Sequence, residues 1–281
     1  MARQLRIECE HGLYHVTARG NARQVIFHDE YDWKYFQECF SVAVDHNGWL
    51  CHSYCLMSNH YHMLIETPRP NLSKGMKYVN GRYAQYFNRR YKRVGHVFQG
   101  RFAGVLVEKE RYLMELCRYI VLNPVRAEMV DTAKDWHWSS YRALAGLVDK
   151  PEWLTVNWLL GCFGSQREDA QKHYKKFVAE GGGLPSPFKD LKNQIYLGSD
   201  QFVEDMQCKL DPGLSLNDIP RQQVATVKKP LAFFELLGSS REESMAQAYK
   251  SGHYTLEEIA SFFDVSTATV SRAVKGYKCK M

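Results

Sequence analysis

The sequence predicts an α+β first half, a helical and loop-rich middle, and an all-α C-terminal module. Strand-like and helix-like runs alternate over residues 1–150, in the order strand, helix, two strands, helix, strand, helix. Helical periodicity with proline-rich interruptions follows, and from Leu231 onward the pattern is helical again. The length of 281 residues suggests roughly two domains. A composition of 45% hydrophobic, 13% aromatic and 24% charged residues excludes a disordered or low-complexity chain.

Each element has a local reason. Residues 13–19 form a β-branched and aromatic run that ends at the turn signal Gly20-Asn21. Residues 30–46 place Trp33, Phe36, Phe40 and Val44 at spacings of three and four, closed by Asn47-Gly48. Strands follow at 49–57 and 60–67, broken at Ser58-Asn59, and Pro68 and Pro70 end the pair. Asn71 or Ser73 caps a long helix to about Lys92, whose buried stripe takes Met76, Tyr83, Tyr86 and Phe87. A strand at 102–107 and a helix at 109–122, stopped by Pro124, complete a set that packs helices on an antiparallel sheet. Beyond it, 153–161 and 167–180 read as helices, the second ending in Gly181-Gly182-Gly183. A stretch with Pro185, Pro187, Pro212, Pro220 and Pro230 follows, with one short helix at about 201–210. The domain boundaries expected are 1–150, 151–230 and 231–281.

Charge is uneven along the chain. Residues 1–150 carry 21 Lys+Arg against 15 Asp+Glu, a net of +6, whereas 151–281 carry 16 of each. The positive half is where a polyanion is expected to bind. No apolar run approaches the ~20 residues of a membrane span, and glutamates stand where a signal peptide needs an apolar core. A cytoplasmic protein without a membrane partner is expected. The eight cysteines, from Cys9 to Cys279, form no dense framework and read as reduced, mostly buried thiols.

Three features carry chemistry. In Asn59-His60-Tyr61-His62, two imidazoles lie on one strand face about 7 Å apart, close enough to share a divalent metal, while Tyr61, Met63 and Ile65 face the other way. The alternative for so short a pattern is hydrogen bonding on a sheet surface. Cys51 and Cys55, about 13 Å apart on an extended strand, are too distant to share one tetrahedral zinc. Tyr119 and Asn123, four residues apart, point from one helix face. A phenol attacks only an activated target such as a metal-polarised phosphate, with Asn123 as an oxygen ligand. Alternatively the tyrosine packs its ring and the asparagine caps the helix end. The helix 71–93 carries Lys74, Lys77, Arg82, Arg89, Arg90, Lys92 and Arg93 with no acidic residue, interleaved with tyrosines, as a track for phosphates and unpaired bases requires. A solvated basic face is the competing reading.

The motifs HVTARGN, CLMSNHYHMLIE, GHVFQGRF, RYIVLNPVRAEMV and DWHWSSYRA together resemble the single-tyrosine HUH transposases, IS200-like, and within them the REP-associated tyrosine transposase branch. The resemblance spans about residues 5–145. It implies a ferredoxin-like nuclease domain acting on single-stranded, hairpin-type DNA. It further implies that His60, His62 and Asn123 bind Mg²⁺ or Mn²⁺. Tyr119 is implied as the nucleophile that becomes 5′-phosphotyrosine-linked, and a leaving 3′-hydroxyl later reverses the reaction. The basic residues Lys74, Lys77, Arg82, Arg89, Arg90 and Arg101 are expected DNA contacts. Tyr61 departs from the family pattern, where a smaller aliphatic is usual between the histidines.

In the C-terminal module Thr255 and Glu258 form a capping box, and Ile259, Ala260 and Phe263 make an inner helix face. A turn at Asp264-Val265 leads to a second helix, capped by Ser266 or Thr267, with Val270, Ala273 and Val274 inward. This reads as a helix-turn-helix with a recognition helix at 267–275, preceded by a supporting helix at 241–249. The segment from 231 also resembles the DNA-binding domain of bacterial replication initiators. A glycine is frequent in that turn, and Asp264 replaces it. Ser266, Thr267, Thr269, Ser271 and Arg272 are the expected duplex contacts. The sum is a bacterial, nucleoid-associated strand transferase for hairpin and duplex DNA. Two rivals are a non-catalytic DNA-binding regulator on a repurposed nuclease fold and an initiator nickase. Residues 151–230 either brace the two DNA-binding modules or mediate homodimerisation.

Overall fold

The structure is a computed structural model that describes residues 4–210, 219–224 and 229–278, so Pro212 and Cys279 lie outside the described residues. Its contacts define two compact units, one of residues 6–191 with 196–198, the other formed mainly by 199–281. Residues 151–191, read from the sequence as part of a connecting region, therefore belong to the larger unit.

The larger unit runs β1 (Gly12–Arg19), α1 (Glu30–Asn47), β2 (Leu50–Leu56), β3 (His60–Thr67), α2 (Leu72–Arg90), β4 (Ala103–Val107) and α3 (Lys109–Val121). These strands lie in the order β2-β3-β1-β4 with every pair antiparallel, the split β-α-β arrangement of a ferredoxin-like sheet. A short helix, α4 (Asn123–Arg126), follows α3 with Pro124 in its first turn. A further strand, β5 (Tyr196–Leu197), pairs with β4 in parallel. Within residues 1–150 the sheet is antiparallel, as expected, and the parallel pair brings in a strand from beyond that range. Both β5 side chains are fully buried, so the sheet extends on two apolar residues inside a stretch that reads as loop.

The sheet is covered on both faces. Tyr61 points to one face, against Phe36 of α1 at 5.0 Å between ring centroids, and its hydroxyl donates to Asn80 of α2 at 2.8 Å. The other face carries α3, where Ser53 of β2 donates to the Cys117 carbonyl at 3.5 Å. Alternation along β3 thus sends Tyr61 and Met63 into the α1/α2 layer and His60 and His62 toward α3.

Local chemistry sets the helix ends. Asp29 accepts hydrogen bonds from the amides of Tyr31 and Asp32 at the start of α1, and Gly48 closes it with φ 68°. Asn71 precedes α2 without capping it through its side chain. Its amide instead accepts from Trp49 Nε1 at 2.7 Å and donates to the Asn47 carbonyl at 3.0 Å. The Trp49 ring lies over Gly75, within 2.2 Å of where a β-carbon would stand, so only glycine fits. The helix expected over 153–161 is shortened to Asn157–Gly161, because Thr155 donates its amide to the Cys51 carbonyl and Leu154 bridges to the edge of β2. Among the described cysteines all seven are free thiols. Cys39, Cys51, Cys55 and Cys117 are buried, whereas Cys162 and Cys208 are exposed.

The smaller unit packs the helices Leu231–Leu237, Arg241–Lys250, Leu256–Phe262 and Thr267–Lys278 around one cluster that includes Met245, Ile259, Ala260, Phe263, Val270 and Val274. Thr255 and Glu258 form the capping box in both directions, at 3.1 and 2.7 Å. Asp264 occupies the turn with φ 47°, a left-handed conformation aspartate tolerates better than most residues. Ser266 Oγ accepts from the Thr269 amide at 3.2 Å, so Ser266 is the cap of the last helix.

Candidate active site

His60 and His62 open β3, both half-buried, and register opposite Arg19 and Thr17 of β1. Their rings meet edge to face at 5.0 Å between centroids. His60 Nδ1 donates to Asn59 Oδ1 at 2.6 Å, because an amide oxygen only accepts. That bond leaves His60 Nε2 as a lone pair. His62 Nδ1 shares a 3.0 Å hydrogen bond with Nε2 of His15, a buried residue of β1. Burial, reinforced by the charge of Arg19, pushes His60 down to about 4, and burial takes His15 down to about 3. His62 is held well below the usual imidazole range by burial, with neighbouring His15, His60 and Arg19 adding to it. All three rings are therefore neutral at physiological pH.

Tyr119, on the last turn of α3, faces the same sheet surface. Its ring lies edge to face with His62 at 6.4 Å between centroids. Asn123 donates its Nδ2 to the carbonyls of Tyr119 at 3.0 Å and Ile120 at 3.2 Å. The amide caps α3 in this way, which orients it and leaves its oxygen as the free end. Arg126 lies over the Tyr119 ring, with its guanidinium carbon 4.9 Å from the centroid.

The donor set suits a divalent cation. Two neutral imidazoles each have one nitrogen already hydrogen-bonded, the arrangement that orients a histidine ligand, and Asn123, which opens α4 just beyond the tyrosine helix, offers an amide oxygen. Among the described residues no group of three or more His, Cys, Asp or Glu could hold a metal, so any site here depends on the asparagine oxygen and on substrate or water.

The basic residues are dispersed. Lys74, Lys77, Arg82 and Arg89 are exposed on α2, which covers the Tyr61 face of the sheet. Lys74, Lys77 and Arg82 thus lie on the far side of the sheet from the histidines. Arg90 is engaged by Asp29 at 2.6 Å and Asp32 at 2.8 Å. Arg101 is exposed beyond a segment tied to the end of β1, where Gln99 donates its amide to the Arg19 carbonyl and Phe98 bridges to Gly20. Arg19 itself, opposite His60, is exposed. In the smaller unit Ser266, Thr267 and Arg272 are exposed on the last helix. Arg272 donates to Thr269 Oγ1 at 3.3 Å, and Ser266 and Thr269 share a 3.0 Å hydrogen bond.

Sequence reasoning missed two residues of the site. His15 lies in the HVTARGN run, where its alternation with Thr17 and Leu13 was a signal. Phe188, on the 3-10 turn Pro187–Asp190, stands beside both Tyr119 and His15, and no local pattern marks it.

The sheet order, the paired histidines and the facing tyrosine define an α+β domain with two imidazoles and a phenol gathered on one sheet face. Residues 9–123 match the family model described as "Transposase IS200 like", so the resemblance carried by the motifs is shown over that segment. A curated REP-associated tyrosine transposase of Haemophilus influenzae is 24% identical over 117 residues, which is 38% of this chain and 66% of that protein's own length. A solved structure of a REP-associated tyrosine transposase bound to a REP hairpin is 16% identical, covers 55% of this chain and 92% of its own, and superposes with a TM-score of 0.45.

Proposed function

We propose that the larger unit is a metal-dependent endonuclease and strand transferase for single-stranded DNA, acting at hairpin-type repeats. The observation that carries this reading is the approach of Tyr119 to His62 across one sheet face, 6.4 Å between ring centroids. Tyr119 Oη attacks the scissile phosphorus and gives up its proton. The bond to the 3′ oxygen breaks, and that oxygen gains a proton to leave as a 3′-hydroxyl. The number of phosphoester bonds is unchanged, so strands can be exchanged without an external energy source. His60 and His62, through Nε2, and Asn123, through its amide oxygen, would hold Mg²⁺ or Mn²⁺. A bound divalent ion supplies charge that polarises the phosphate. Asn59 and His15 orient the two imidazoles. Arg19 and Arg101 offer phosphate contacts, and Lys74, Lys77, Arg82 and Arg89 of α2 form a second basic surface for DNA leading away from the cut. The smaller unit supports a helix-turn-helix reading, with Ser266, Thr267, Thr269 and Arg272 facing duplex DNA.

The test uses labelled hairpin DNA with single-stranded flanks, incubated with the full chain and Mn²⁺. Wild type gives a covalent adduct that survives denaturation, and Tyr119→Phe gives none. Absence of adduct across varied hairpins, or an adduct from Tyr119→Phe, removes the nuclease reading and leaves a DNA-binding regulator.

A further inference from the structure

Residues 181–190 run across α3 as a fastened segment. Gly181 lies against Arg118 and Leu122 so closely that a β-carbon there would meet both side chains at 2.6–2.7 Å. Arg126 donates to the Leu184 carbonyl at 3.1 Å, and Tyr112 of α3 donates to Asp190 at 3.4 Å. Between these ties stands Phe188, half-buried, its ring edge to face with Tyr119 at 5.4 Å and tilted on His15 at 4.8 Å between centroids. His15 in turn stacks on His62 at 5.2 Å. One phenyl ring therefore touches both the tyrosine and the histidine behind a ligand candidate, and the same segment holds the arginine that covers the tyrosine ring.

We infer that Phe188 is a positioning residue for Tyr119, and that the segment carrying it, outside the family-matched residues 9–123, completes the active site. This rests on the nuclease reading above. A half-buried tyrosine near a helix end has free rotamers unless its ring is packed on several sides. Arg126 takes one side, His62 another and Phe188 a third. Without Phe188 the ring can turn away from the histidine face, so the phenol spends less time aligned for attack. Misplacement of a reacting group by about 1 Å can cost roughly a hundredfold in rate.

The decisive variants are Phe188→Ala and Phe188→Tyr, measured in the full chain with Mn²⁺ and the hairpin substrate under single-turnover conditions. Phe188→Ala is expected to slow adduct formation about tenfold or more, with substrate affinity within about twofold of wild type. Phe188→Tyr, which keeps the ring, restores the rate. A readout independent of turnover is the ¹⁹F resonance of 3-fluorotyrosine placed at position 119. Phe188→Ala shifts and broadens it without DNA or metal, at unchanged melting temperature. An unaltered rate and resonance in Phe188→Ala overturns the inference, as does a loss that falls on affinity alone, which would make Phe188 a surface for a DNA base. If wild type itself forms no adduct, the nuclease reading fails, while the resonance still reports whether the ring is held.

Discussion

Arg89 and Arg90 are neighbours of the same chemistry with opposite employment. Arg90 bridges Asp29 and Asp32, and Asp32 is fully buried and also accepts from the Tyr91 hydroxyl and the His28 amide, both at 2.8 Å. Its removal leaves a buried carboxylate short of its cation, which is costly. Arg89 is exposed and keeps its charge for a polyanion. Arg90→Gln should therefore lower the melting temperature, whereas Arg89→Gln should leave it unchanged. In a salt titration of single-stranded DNA binding, Arg89→Gln should reduce the slope of log affinity against log salt by about 0.7 for a lost phosphate contact. Equal melting temperatures for the two variants would refute this assignment. Spacing identified both as basic residues on one helix. It could not separate them, because the partners of Arg90 sit about 60 positions upstream.

At the scale of elements, the end of β3 opposite the histidines is tied to its neighbours by a buried carboxylate. Glu66 accepts from His52 of β2 at 2.8 Å and from Lys109, which opens α3, at 2.7 Å. The His52 hydrogen bond, helped by Lys109 and opposed by burial, pulls the Glu66 carboxyl down to about 2. A carboxylate held below its unfolded value contributes stability that is full above about pH 5. That contribution is lost as the pH falls through 4.5 toward 2. Acid unfolding of Glu66→Gln should therefore be flatter than wild type over that window, with the two proteins converging near pH 2. A constant difference between them down to pH 2 would contradict the assignment. The main strands and helices were legible because each has its own period and stop signals. β5 was not, since two residues carry no period, and the short turn with Phe188 owes its place to contacts with α3. The His60/His62 and Tyr119/Asn123 spacings were visible, and alternation along β3 gave the two histidines their common face.

Over the whole molecule, net charge pointed to a polyanion site in the first half. The fold qualifies that expectation. The helix that carries the exposed Lys74, Lys77, Arg82 and Arg89 covers one face of the sheet, while the histidines and tyrosine occupy the other. The electrically balanced second half contributes an arginine on an exposed helix face instead. Arg272→Ala should weaken duplex binding by roughly tenfold or more, in keeping with 1–3 kcal/mol for a base-reading contact. Adduct formation on single-stranded substrate should be untouched, as fluorescence anisotropy and gel assays on the same preparation would show. Loss of both activities together would mean that the two units do not divide the work in this way.

The place of Phe188 also sets an order of events during synthesis. Tyr119 and Asn123 leave the ribosome well before residue 188, and at about 5–20 residues per second the intervening stretch takes several seconds to make. Through that interval the nascent domain has His15 and Tyr119 but not the ring that packs against both. A chain interrupted before Leu184 would carry the visible motifs and lack the packing around its nucleophile. Translation thus delivers the last part of the site late, after the sheet that supports it can already have formed.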